Sequence, residues 1–169
     1  MTTWLFRRAC ADDARAVSDI YRESWPTSVR HVAPGAVIDA LLRERSTRFW
    51  LESIEEIGSG FQLALDGSRL VAFCGWMFQG LRAGELKWLF VVPDSQRAGV
   101  GGALHDHAMH AMSQAGIADA CLWAVPRNGA AERFYCHKGW RATEELIFVP
   151  THAGEFPLRK WVCSLPVGG

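Results

Sequence analysis

Three glycines at positions 99, 101 and 102, in Gln96-Arg97-Ala98-Gly99-Val100-Gly101-Gly102-Ala103-Leu104, constrain this chain more than any other stretch. The run follows a strand-like segment, Glu85 to Val92, and opens a helical pattern ending near Ala115. A helix start built of small residues leaves its first N–H groups bare, at the positive end of the helix dipole. Phosphate binds such an end, and glycine removes the Cβ atoms that would hold it off. Two phosphate motifs fail on spacing. A dinucleotide fingerprint sets Gly-x-Gly-x-x-Gly directly after a strand. Here the third position is Leu104, and Pro93 to Ala98 intervene. A P-loop ends in Gly-Lys-Ser/Thr, where this chain has Gly102-Ala103-Leu104.

A second pattern lies one strand later: Asn128-x-x-Ala131-x-x-Phe134-Tyr135-x-x-x-Gly139-Trp140. The first stretch has the form Gln/Arg-x-x-Gly-x-Gly/Ala. In this order the two resemble the GNAT superfamily of N-acetyltransferases, with Trp140 where the family has Phe. The resemblance spans residues 85–140. Before that, only the order of elements is similar.

The resemblance implies an α/β (α+β) fold. A mixed, mostly antiparallel sheet of six to seven strands would carry helices on both faces, with a V-shaped splay between two central parallel strands. Acetyl-CoA would enter the splay as cosubstrate. Its pantetheine amides would pair with the backbone of Leu89, Phe90 and Val91. Gln96, Arg97, Ala98, Gly99, Val100, Gly101 and Gly102 would hold the pyrophosphate, and Asn128 would bond to the pantetheine arm or orient its loop. Glu85 matches the general-base glutamate of histone-acetylating members. An ordinary charge at a strand start is the alternative, and pairing with Lys87 on the same strand face would make it a poorer base. Tyr135 matches the family's general acid; its phenol has a pKa of about 10 in water, close to a thiol's. Cys136 is adjacent, but no partnered histidine supports a thiol nucleophile, so direct attack through a ternary complex is expected.

The acceptor would be a primary amine, of a small molecule in the first reading. A protein or peptide acetyltransferase and a non-catalytic acyl-CoA-binding regulatory module are the alternatives. Tyr21, Trp25, His31 and Trp50 lie in the segment that covers the amine site in the family. Each is equally an ordinary packing residue.

The remaining features narrow the class. At 169 residues one domain, 1–169, is expected. The 18 basic and 18 acidic residues balance, which argues against nucleic acid or an anionic membrane surface. Five scattered cysteines suggest buried thiols in a reducing compartment. Arg7, Arg8, Asp12 and Asp13 interrupt any signal-peptide core, so a cytoplasmic protein is expected. His105-Asp106-His107-x-x-His110 invites a zinc reading, but no fourth ligand is evident, a polar helix surface explains all three histidines, and no metal is expected. A homodimer through the last strands is expected by analogy only.

Along the chain, strands are expected at Trp4–Ala9, Phe61–Leu65, Leu70–Phe78, Glu85–Val92 and Ala120–Val125, then from Trp140 to Glu144 or beyond and at Leu158–Ser164. A helix from Asp12-Asp13 should end at Trp25-Pro26. Helical patterns follow from Pro34, around Trp50, after the glycine stretch and over Ala130–His137. The segment holding Pro150, Gly154 and Pro157 reads as an irregular loop.

Overall fold

A computed structural model describes residues 3–166 of the chain. In chain order the elements are β1 (Leu5–Arg8), α1 (Ala14–Val29), α2 (Gly35–Glu44), α3 (Thr47–Ile57), β2 (Phe61–Asp66), β3 (Arg69–Phe78), β4 (Ala83–Val91), α4 (Val100–Gln114), β5 (Asp119–Ala124), α5 (Gly129–His137), β6 (Arg141–Thr151) and β7 (Gly154–Ser164). The strands form one sheet of order β1-β2-β3-β4-β5-β7-β6. Every pairing is antiparallel except β4 with β5. That pair is joined through α4, as a parallel connection requires.

Apolar residues on both sides of β3 explain why helices cover both faces. Val71 to Trp76 are all buried. On one face, a Cβ built on Gly84 would meet Met112 Sδ of α4 at 2.7 Å. On the other, a Cβ on Gly75 would meet Trp88 Cδ1 at 2.9 Å and Ile57 Cδ1 of α3 at 3.2 Å. Trp50, fully buried, centres this second layer. Its ring lies 5.1 Å from each of Tyr21, Phe73 and Trp88. It is a core residue and not a substrate contact.

Two expectations are corrected. Helix α1 does not stop at Trp25-Pro26 but continues to Val29, with the Arg30 N–H donating to the Pro26 carbonyl at 3.1 Å. Proline removes one helical N–H, but buried Trp25 and Val29 hold the last turns against the core. The segment around Pro150 and Pro157 is a long hairpin, β6–β7, and not an irregular loop. Proline is tolerated where its missing N–H faces no neighbour. Pro150 stands on β6, the sheet edge, and Pro157 lies beyond Arg159, the last β7 residue in register with β5.

The cysteines also differ from expectation. All five are free thiols, but only Cys74 is buried, and Cys10 and Cys136 are exposed. No helix among the described residues is long and apolar enough to cross a membrane.

Candidate active site

The parallel pair opens almost as soon as it forms. β4 and β5 are in register only at Ala83↔Asp119, Gly84↔Ala120 and Glu85↔Cys121. Beyond that, β4 runs on to Val91 and β5 to Ala124 without pairing. Buried backbone groups need partners, so the parted edges form a cleft that can accept an extended ligand. A β-bulge sits at the parting. Gly75 pairs with Trp88 and Trp76 with Leu86, leaving Lys87 as the extra residue. Bulges bend a strand and re-aim its side chains. The cleft has a volume of about 360 Å³; its walls include Glu85 to Phe90, Leu122 to Val125, Asn128 and Tyr135.

At the far end of β4 a short 3-10 turn (Pro93–Ser95) leads into the glycine stretch. Gly99 caps α4 at φ 95°, a left-handed conformation with open space around the missing Cβ. Arg97 is also left-handed, at φ 63°. The N–H groups of Arg97, Gly99, Val100, Gly101 and Gly102 meet no protein acceptor among the described residues; Ala103 is the first of the helix to bond back, to the Gly99 carbonyl at 3.0 Å. Gln96 and Ala98 are different. Their N–H groups close the turn onto Pro93 and Ser95. The Gln96 side chain donates to the Val91 carbonyl at 3.2 Å, and Ser24 Oγ lies 3.1 Å from the same oxygen. Of the three expected pantetheine-pairing residues, Val91 therefore already has its carbonyl engaged, whereas Leu89 and Phe90 line the cleft. Lys138 Nζ, ion-paired to Asp106 at 2.7 Å, also reaches the Gly102 carbonyl at 3.4 Å beside the bare amides.

Glu85 and Tyr135 both border the cleft. Glu85 does not pair with Lys87. The bulge re-aims that lysine, whose Nζ lies 3.7 Å from Met77 Sδ, and Glu85 instead accepts from Gln79 Nε2 at 2.5 Å. The Cys121 thiol points to the Gln79 side-chain oxygen, Oε1, with Sγ 3.8 Å from it. Burial, then the charge of Glu85, holds the Cys121 thiol above its ordinary pKa. The Tyr135 hydroxyl makes no hydrogen bond to protein among the described residues; its ring packs on Phe134, Trp140 and Trp161. Burial pushes its phenol up to about 12. Asn128 caps α5, its Oδ1 accepting from the Ala131 N–H at 3.4 Å, so its side chain orients the helix that carries Tyr135.

The end of the cleft against α1 is aromatic. Tyr21 stacks on Trp25, and Trp25 packs edge-on to Phe90 and Phe156. Both α1 residues are buried and line the cleft. His31 is not part of the lining: it is exposed, with Nε2 2.9 Å from the Pro126 carbonyl, joining the end of α1 to the loop after β5. Arg45, Gln79 and Ser24 were not anticipated from sequence. A serine inside a helix or a helix-end arginine carries no local mark of a partner on a distant strand.

The Trp140 departure from the family pattern has a partner. Its indole donates to His105 Nε2 at 2.8 Å, while His105 Nδ1 donates to Asp106 at 2.9 Å. His105 is thus buried, unlike the expected polar-surface residue, whereas His107 and His110 are exposed. Among the described residues no three His, Cys, Asp or Glu side chains are placed to hold one metal ion. Burial lowers the His105 pKa below its ordinary value. The unfolded chain therefore binds a proton that the fold refuses. Stability is full above about pH 6.5 and is lost as pH falls through the lower, folded pKa. His105→Gln keeps an acceptor for Trp140 without titrating. Between about pH 7.5 and pH 5, Tm of the wild type should fall further than that of the variant by about 2–4 °C. Parallel melting curves would show that His105 is not a source of acid sensitivity.

The acetyltransferase (GNAT) domain model matches residues 57–142 of the chain. No curated protein sequence matches. Among solved structures, the PaiA N-acetyltransferase from Thermoplasma acidophilum, in complex with coenzyme A, is similar at TM-score 0.79 and 21% identity, over 96% of this chain and 99% of that one. Ard1 from Thermoplasma volcanium is similar at TM-score 0.74 and 16% identity, over 96% and 98% of the two chains. The ribosomal-protein-S18-alanine N-acetyltransferase from Escherichia coli is similar at TM-score 0.73 and 19% identity, over 99% and 97%. At such identities the likeness is one of fold.

Proposed function

The chain belongs to the GNAT acetyltransferase family, and on that premise we propose that it moves an acetyl group from acetyl-CoA to a primary amine of a small molecule. The observation that carries this reading is one continuous path. A cleft between parted strands, with an unpaired edge of β4, leads to five backbone N–H groups that lack protein acceptors among the described residues. The edge suits an extended amide chain, and the amides suit its diphosphate. Acetyl-CoA supplies an acyl group activated as a thioester.

The chain's residues then divide the work. Leu89 and Phe90 offer main-chain groups to the pantetheine amides. A backbone N–H at the parted edge donates to the acyl oxygen as negative charge grows there. Glu85 takes the proton that the amine must lose, directly or through water. The nitrogen–carbon bond forms, the carbon–sulfur bond breaks, and the Tyr135 hydroxyl donates a hydrogen bond to the departing sulfur. Solvent supplies the proton that completes the free thiol. Asn128 keeps α5, and with it Tyr135, at the cleft.

A small acceptor is favoured over a protein chain because the acceptor end is roofed. The β6–β7 hairpin contributes Ile147, Val149, Phe156 and Leu158 to the cleft. Its tip is pinned to α2: His152 Nδ1 lies 3.1 Å from Glu44, and Arg43 lies 3.3 Å from His152 Nε2.

Thiol release from acetyl-CoA across a panel of amines, amino acids and peptides tests the proposal. Tight coenzyme A binding by calorimetry with no thiol released on any acceptor would favour a non-catalytic binding module. Glu85→Gln should lower kcat/KM about tenfold near neutral pH and flatten the pH–rate profile. Superimposable profiles would remove Glu85 from the mechanism.

A further inference from the structure

Arg45 lines the cleft and has no role in the proposed chemistry. It follows the last residue of α2 as its C-cap. Its guanidinium carbon lies 4.1 Å from the centre of the Phe49 ring and 5.2 Å from that of Trp88. Arg45 lines the cleft beside Tyr21, Trp25 and Trp88. No carboxylate among the described residues lies within 4.0 Å of it. Glu44 is adjacent in sequence, but its carboxylate is held by His152 on the hairpin. Its polar neighbours include the Tyr21 hydroxyl, the Glu44 charge acts on it from further off, and burial lowers the guanidinium pKa.

Such a placement is costly for its own sake. A half-buried cation with no ion pair of its own loses hydration, and ring contacts, the Tyr21 hydroxyl and the more distant charge of Glu44 offset that only in part. The charged residues lining the cleft are Arg45, Lys87 and Glu85; the Lys87 ammonium is turned toward Met77 Sδ, which leaves Arg45 and Glu85, one cation and one anion, to meet an acceptor. An acceptor entering as an ammonium brings one more positive charge. Balance requires a negative group on the acceptor itself. Guanidinium presents a planar fork of N–H donors that matches a carboxylate in two parallel hydrogen bonds. The walls around it, Trp25, Trp88, Phe90 and Phe156, suit an apolar body on the same acceptor.

We propose that Arg45 binds a carboxylate of the acceptor, so that the substrate class is amino acids with an apolar body and excludes simple alkylamines and polyamines. The substrate statement rests on the acetyltransferase reading, but the carboxylate site does not, and the two can be tested apart.

Matched pairs that differ only by the carboxylate serve as probes: phenylalanine against phenethylamine, leucine against isopentylamine, and γ-aminobutyrate against propylamine. In the wild type, the carboxylate member of at least one pair should have a kcat/KM at least tenfold above its partner. Arg45→Gln should bring that ratio to about one, acting mainly through KM, and Arg45→Lys should recover part of it. Binding is read separately by quenching of tryptophan fluorescence with no acetyl-CoA present. Saturable quenching by the carboxylate member, weakened at least tenfold in Arg45→Gln, supports the site whether or not turnover occurs. Binding without thiol release on any acceptor would keep the carboxylate site and sink the acetyltransferase reading. Turnover with equal kcat/KM within every pair would do the reverse. A loss in Arg45→Gln that is the same for both members of each pair would make Arg45 a packing residue and overturn the proposal. If Arg45→Gln does not fold, the wild-type ratios and quenching alone decide.

Discussion

Replacing Tyr135 with Phe should lower kcat about 100-fold and leave KM for acetyl-CoA within about twofold. The reason lies in the environment of the phenol. Burial pushes it up to about 12, whereas a free thiol ionises at about 8.5. A gap of about three to four pH units makes complete proton transfer to a departing thiolate uphill by about 5 kcal/mol. The useful act of Tyr135 is therefore a hydrogen bond to sulfur as charge develops. A hydrogen bond to a charged group contributes about 1.5–3 kcal/mol, or roughly 10- to 150-fold in rate. Phe preserves the packing on Phe134, Trp140 and Trp161, so Tm should hardly move. The raised pKa gives a second reading of the same residue. Tyr135 works only while protonated, so its contribution should persist to about pH 10 and fade only as pH rises through about 12. An alkaline limb with a midpoint near pH 10 that vanished in Tyr135→Phe would mean a phenol unperturbed by the fold. A variant with undiminished kcat would remove Tyr135 from the reaction.

How far the sequence disclosed this site depends on the range over which each feature is determined. The glycine stretch was legible because its causes are local. A left-handed Gly99 and small residues at the first turn of α4 are written in consecutive positions, and Asn128 is a helix cap of the ordinary kind. The parting of β4 from β5 came from resemblance and not from spacing, since nothing in Glu85 to Val92 reports where a neighbouring strand leaves. The bulge at Lys87 was missed for the same reason. It depends on the offset between two strands, and it decides whether Glu85 faces a lysine or Gln79. Pro26 and the prolines of the β6–β7 hairpin misled in the opposite direction. Local rules assign a break, but buried Trp25 and Val29 hold α1 together past Pro26, and the hairpin prolines fall outside the pairing with β5. Arg45 shows the limit most clearly. Its two ring partners come from α3 and β4, and only the folded chain brings the second of them to it.

Gly99→Val should weaken coenzyme A binding about 100-fold while leaving the affinity for pantetheine, which has no diphosphate, within about twofold. Gly99 sits at φ 95° with nothing within 4 Å of where a Cβ would stand. Space is therefore not the obstacle; conformation is. A β-branched residue at positive φ is a genuine outlier, and relief requires the cap to rotate toward negative φ. That rotation swings the N–H groups of Gly99 and its neighbours away from the point on which they converge. Two charge-assisted hydrogen bonds, lost or made poorly, account for the predicted factor at about 1.5 kcal/mol each. The stability cost should be small, because Gly99 is exposed and α4 keeps Val100, Leu104, Ala108 and Met112 in the core. Calorimetry with coenzyme A and with pantetheine separates the terms. Equal weakening of both ligands would mean that the substitution distorts the strand cleft and not the loop. Undiminished coenzyme A binding would mean that the bare amides of the glycine stretch do not hold the diphosphate, and the proposed path through the cleft would lose its anchor.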